Sequence, residues 1–98
     1  MIIQFLGQSG YLLETENSRI IIDPYLSDSV NHAFGRPRLL PIPIDPRDIS
    51  CNAVICTHNH LDHLDIDTVS QISDRQFFLT TTEGKEKLLE LGKVMKTL

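Results

Sequence analysis

Apolar positions fall into short runs separated by turn residues. Residues 1–6 are apolar except for Gln4 and stop at Gly7, which predicts a first strand. Residues 10–15 predict a second. There the period of two sets Tyr11 and Leu13 on the face opposite Leu12. Glu16, Asn17 and Ser18 supply turn chemistry, and the β-branched run Ile20, Ile21, Ile22 within 19–23 predicts a third strand of the kind buried on both faces. The order suggests an antiparallel meander feeding a central strand.

Periodicity then fails. All five prolines (Pro24, Pro37, Pro41, Pro43, Pro46) lie in 24–48, which excludes a central strand or a long helix there and leaves at most one short helix, over 27–34. So long a loop inside a compact domain is usually either functional or disordered. Leu39, Leu40, Ile42 and Ile44 predict that it packs onto something, as a lid or wall of a site. Beyond it, 53–57 reads as a strand, and 65–72 as a short helix with apolar residues three apart and acids at its start. Residues 76–80 read as another strand. An amphipathic helix opens after Thr81, Thr82 and Glu83, runs over 85–91 and ends at Gly92, and 93–98 begins one more strand. Strands first, then strand, helix, strand, helix, predict an α/β layered arrangement.

Composition narrows this to one domain. Ninety-eight residues, 41% hydrophobic and 22% charged, exclude a two-domain enzyme. A formal net charge of −4 offers no electrostatic footprint for nucleic acid or an anionic membrane. No apolar run approaches the roughly 20 residues that span a bilayer, and the start lacks the basic region of a signal peptide, so a cytoplasmic protein is expected. Cys51 and Cys56 have no metal-knuckle spacing and are expected to be reduced, Cys56 as a small buried hydrophobe. The pair Gly7 and Gly10 is no dinucleotide fingerprint.

The chemistry concentrates in Thr57-His58-Asn59-His60-Leu61-Asp62-His63-Leu64-Asp65, which holds three of the four histidines. Imidazole and carboxylate are ligands for zinc and also suit manganese or iron. Burying so many titratable groups together is costly without an ion to satisfy them. His58 and His60, two apart, project to the same side of an extended segment and so can share one ion, and Asp62 keeps that parity. A turn between Asp62 and Asp65 would aim Asp62 and His63 at a second, neighbouring position. This differs from helical patterns whose histidines lie four apart. His32, alone in the proline-rich loop, reads as a surface or satisfied core residue rather than a ligand.

The pattern His-x-His-x-Asp-His after an apolar strand resembles the signature of the metallo-β-lactamase fold superfamily. The segments Phe5-Leu6-Gly7-Gln8-Ser9-Gly10-Tyr11-Leu12-Leu13, Ile20-Ile21-Ile22-Asp23-Pro24-Tyr25-Leu26-Ser27 and Ile42-Pro43-Ile44-Asp45-Pro46 resemble the branch containing L-ascorbate-6-phosphate lactonase. The resemblance implies the N-terminal half of an αββα sandwich, a mixed sheet with helices on one face. It implies His58 and His60 as ligands of a first metal, and Asp62 and His63 as ligands of a second. Asp62 would also orient the metal-bound hydroxide and handle its proton. Asp23 matches a family aspartate that supports the metal loop, although a turn cap before Pro24 is the other reading.

The implied activity is hydrolysis of a lactone or other ester by metal-bound hydroxide, with one or two divalent ions, zinc or manganese, and a small-molecule substrate such as a phosphorylated lactone. Arg36 and Arg38 are placed either at a substrate phosphate or in solvent. The superfamily domain is about twice this length, and its later half supplies further ligands. After His63 the sequence has no histidine, and Asp65, Asp67 and Asp74 are expected to face solvent on the helix that follows the motif. Each metal would then hold two ligands from this chain, whereas a catalytic zinc site generally has three. The expectation is therefore a truncated form of the full enzyme, residues 1–98 being the N-terminal portion of one domain with the loop 24–48 inside it. The alternatives are a non-catalytic metal-binding or self-associating half-domain, and a phosphodiesterase or nuclease of the same superfamily; on any of these readings the apolar content that a half-fold leaves exposed leads one to expect a homo-oligomer.

Overall fold

Six strands form one sheet in sequence order in the computed structural model, which describes residues 1–73 and 77–93 and the backbone of 95–97. Strands β1 (Ile2–Gly7), β2 (Gly10–Glu14) and β3 (Arg19–Ile22) pair antiparallel, as the short turns between them require. From β3 onward, β4 (Ala53–Cys56), β5 (Phe77–Thr80) and β6 (Met95–Thr97) add in parallel, each after a crossover. The crossovers carry α1 (Ser29–Phe34), α2 (Ile66–Gln71) and α3 (Thr82–Glu90). The predicted elements are all present within about three residues, the largest shift being the start of α3 at Thr82 rather than 85. Gln76 and Asp74, placed by the sequence in a strand and in solvent, lie outside the described residues, as do Val94 and Leu98 of the last predicted strand.

The register explains the core. Leu12, Ile21, Val54 and Phe78 stand opposite one another across four strands and are buried, joined by Cys56, Leu26, Leu64, Val69, Ile72 and Leu88. The other face carries Phe5, Tyr11, Leu13, Ile20, Ile22, Ile55, Phe77 and Leu79 in the same register, and none of these is buried. The expectation that 19–23 is covered on both faces is thus corrected. Only Ile21 is buried in β3, because the helices pack on one side of the sheet.

Close approach on the covered side demands a glycine. A Cβ on Gly84 in α3 would lie 2.2 Å from Thr80 Oγ1 and 2.9 Å from Leu64 Cδ1, so α3 rests directly on β5 beneath the start of α2.

The proline-rich segment departs from expectation in two ways. A 3-10 turn, Pro46–Asp48, follows Asp45, whose carboxylate caps it by accepting from Arg47 N; the capping residue and the proline at the first position were the signal. Of the four apolar residues expected to pack, only Ile44 reaches the core, while Leu39 is 97% exposed and Leu40 and Ile42 are also exposed. Among the described residues no helix is long and apolar enough to cross a membrane. No disulfide joins the half-buried Cys51 to the buried Cys56.

Candidate metal centre

Parallel strands place their carboxyl ends side by side, and crevices outside those ends are where α/β sheets bind ligands. Here β3 ends at Asp23 and β4 runs into Thr57, and Asp23 N continues the ladder by donating to Ile55 O at 2.7 Å. Asp23 has φ +46°, a left-handed conformation that aspartate tolerates better than most residues. Its carboxylate is buried and accepts from Thr57 N at 2.7 Å, Thr57 Oγ1 at 2.5 Å and His63 Nδ1 at 2.8 Å. The Thr57 hydroxyl also lies 2.8 Å from His58 Nδ1.

Donor counting sets both tautomers. The single Thr57 hydroxyl proton goes to Asp23, so that oxygen accepts from His58 Nδ1–H, and His63 Nδ1–H donates to Asp23 directly. Each ring then has its Nδ1 engaged and keeps Nε2 as the nitrogen left for an ion, the arrangement that metal-binding histidines use.

Asp23, His58 and His63 each bring a ligand atom within 4.8 Å of the others. His58 and His63 have ring centroids 4.4 Å apart, and His58 and His60 6.2 Å apart. A carboxylate and two imidazoles brought this close are the donor chemistry that a divalent ion takes. His60 and Asp62 stand outside the tight group. The turn that begins with His60 O accepting from His63 N and Leu64 N directs His63 inward and leaves Asp62 40% exposed, with Asp62 Oδ1 3.8 Å from His63 Nε2.

Beside this group opens a cleft of about 730 Å3, lined by Val30, Phe34, Arg36, Leu61 and Lys87 together with His60 and Asp62. Phe34, Val30 and Lys87 carried no signal in the sequence. The proline-rich segment forms one wall, anchored by Arg38, whose guanidinium donates to the carbonyls of Tyr25, of Leu6 at 3.3 Å and of Leu40 at 2.9 Å and lies over the Tyr25 ring. Arg38 is thus half-buried and engaged with backbone carbonyls rather than standing free in solvent, which corrects the solvent placement expected for it. Gly7, at φ +103°, leaves the space: a Cβ there would be 2.7 Å from Arg38 Nη2.

A second correction concerns Asp65. It is buried and caps α2, accepting from Ser27 Oγ at 2.5 Å, Ser29 Oγ at 2.7 Å and Asp67 N at 3.2 Å. Asp67 is exposed, as expected, and so is His32 on α1. Cys56, on the covered face of β4, has its thiol pushed up to about 12, first by burial and then by the negative charge of Asp23. That keeps it a neutral, inert hydrophobe.

The family profile described as a beta-lactamase superfamily domain matches residues 2–96. An uncharacterized protein of Mycobacterium tuberculosis is 40% identical over 70 residues, covering 68% of this chain and 19% of that protein. A UPF0173 metal-dependent hydrolase of Opitutus terrae is 31% identical over 64 residues, covering 65% of this chain and 24% of that protein. The isothiocyanate hydrolase from Delia radicum gut bacteria superposes with a TM-score of 0.76 at 21% identity over 98% of this chain and 41% of that one, a likeness of fold. The chain spans about a fifth to a quarter of these curated relatives. With nearly its whole length matched, from β1 through the His58–His63 motif to β6, this chain belongs to the beta-lactamase superfamily domain family.

Proposed function

We propose that residues 1–98 are the N-terminal, metal-binding portion of one metallo-β-lactamase-like domain of a hydrolase in the lactonase-like branch, acting in the cytoplasm on a small lactone or other ester. The observation that carries this reading is the buried Asp23 carboxylate, which orients His63 directly and His58 through Thr57 at the joined ends of β3 and β4. His58 and His60 would hold one ion and His63 and Asp62 a second, zinc or manganese. A bound divalent ion makes hydroxide available near neutral pH and polarises the carbonyl under attack. Asp23 acts as an orienting group, since its oxygens already accept three hydrogen bonds. Asp62, half-exposed in the cleft, orients the attacking water and takes its proton.

The test is zinc or manganese uptake by the purified chain, with lactone and ester hydrolysis measured in the loaded protein. Metal binding is expected to be lost in the His58→Ala, His63→Ala double variant. Hydrolysis is expected to fall about 100-fold or more in Asp62→Ala, the range for loss of a general base. Zinc retained by the double variant, or hydrolysis indifferent to Asp62, would overturn the assignment.

A second reading, a self-associating half-domain, is favoured by the open sheet face of Phe5, Tyr11, Ile22, Ile55 and Leu79. Apolar faces of this extent mark contact surfaces. Sedimentation velocity of the 98-residue chain at micromolar concentration is expected to show dimers or larger species; a stable monomer would remove this reading.

A further inference from the structure

The two arginines of the proline-rich segment are one residue apart and have opposite fates. Arg38 is turned in and spent on backbone carbonyls, whereas Arg36 is exposed on the cleft. Among the described residues, no hydrogen bond or ion pair engages the Arg36 guanidinium. The other cation on the cleft, Lys87, already donates from Nζ to Asn59 O at 2.6 Å.

The backbone that delivers Arg36 is pinned on both sides. Upstream, α1 closes at Gly35, in the left-handed conformation with its N–H on Asn31 O at 2.8 Å. Downstream, Pro37 fixes its own φ, and Arg38 N donates to Asp28 Oδ1 at 3.2 Å. Beside it the Phe34 ring is 69% exposed, and Val30 and Leu61 line the same cleft. An unpartnered guanidinium carried on a pinned backbone next to an apolar wall, on the cleft that His60 and Asp62 also line, is the complement of a molecule with an oxyanion at one end and an apolar body.

We propose that Arg36 is the specificity-determining residue of this cleft and selects substrates bearing a carboxylate or phosphate on an apolar, aryl-like body. The proposal rests on the hydrolase reading above and narrows its substrate class. The planar guanidinium fork matches either oxyanion in a two-pronged contact that a lysine cannot copy. The anion would lie against Arg36 and the apolar body along Phe34 and Leu61, leaving the ester carbonyl toward Asp62.

Binding to the metal-free protein separates this idea from the hydrolase reading. Benzoate and phenylphosphonate, with neutral benzamide as control, are titrated while the Arg36 Nε–H and Phe34 ring resonances are followed. At least one of the two anions is expected to shift both sets and to bind at least fivefold more tightly than benzamide, and the tighter of the pair identifies the oxyanion. Arg36→Gln is expected to abolish that preference, and Arg47→Gln, which removes an equal charge outside the cleft, to leave it intact. In the metal-loaded protein, Arg36→Gln is expected to lower kcat/KM for a carboxylate- or phosphate-bearing ester at least tenfold relative to its neutral analogue, chiefly through KM. Equal binding of the anions and benzamide, or a preference that survives Arg36→Gln, would overturn the proposal. Anion binding without any ester hydrolysis would keep it and reject the hydrolase reading.

Discussion

Zinc affinity is expected to fall about 10- to 100-fold when Asp23 is replaced by asparagine, the range for losing a partner that orients a metal-binding histidine. The substitution preserves volume and leaves an amide oxygen to accept from Thr57. The amide nitrogen, however, is a donor, and one of the two Asp23 oxygens already meets both Thr57 Oγ1–H and His63 Nδ1–H. An amide cannot offer acceptors at both oxygens, so either the His63 tautomer or the Thr57 contact must give way. Where the amide nitrogen faces Thr57 Oγ1, that hydroxyl loses its acceptor and no longer fixes His58. Competition against a chelator gives the affinity, and nitrogen chemical shifts of the His58 and His63 rings report the tautomers, which a merely structural change would not exchange. Asp23→Gly is a second test. It relieves the left-handed backbone at φ +46° yet removes the acceptor, so it is expected to bind zinc at least as poorly as Asp23→Asn. Affinity within twofold of the parent protein in both variants would show that Asp23 does not organise the site.

The largest loss of stability is expected at Asp65. Alanine there removes the cap of α2, typically worth about 0.5–2 kcal/mol. It also strands the hydroxyls of Ser27 and Ser29 and deprives Thr68 Oγ1 of its 2.5 Å partner, each unmet buried group costing about 1–3 kcal/mol. Hydroxyl rotation recovers part of this, so about 3 kcal/mol or more is expected from urea unfolding. A domain with about 5–15 kcal/mol in total would feel such a loss strongly. The damage should spread to the cleft, because Thr68 Oγ1 also accepts Leu26 N at 2.8 Å and Asp65 ties down the segment that carries α1. Faster tryptic cleavage after Arg38, in the same segment, is the accompanying expectation for Asp65→Ala. A change below about 1 kcal/mol would mean that the Ser27–Ser29–Asp65 network contributes little.

Two carboxylates show how little local pattern says about a buried acid. For Asp23 the supporting role came only from the family resemblance of residues 20–27, and its place before Pro24 read as well as a turn cap. Asp65 was expected in solvent because it starts a short helix, where acids usually stand exposed. Its burial depends on Ser27 and Ser29, some 36 residues earlier, folding across α2, and no spacing within the helix announces that. Similarly, the run 20–22 suggested a strand covered twice, but burial on the second face depends on what lies opposite the sheet. Strand periodicity does not supply that information.

Sequence alone determined the strands, the helices and the dense motif 57–65, since these follow from periodicity, turn chemistry and ligand type over a few neighbouring residues. Only the tertiary structure decided how that motif is used: His58 lies nearest His63 rather than His60, Arg38 is consumed while Arg36 is left open, and Asp65 is buried. Each of these depends on hydrogen bonds between segments far apart in the chain. Which partners satisfy a buried carboxylate or guanidinium is settled by the packing that brings them within 3 Å.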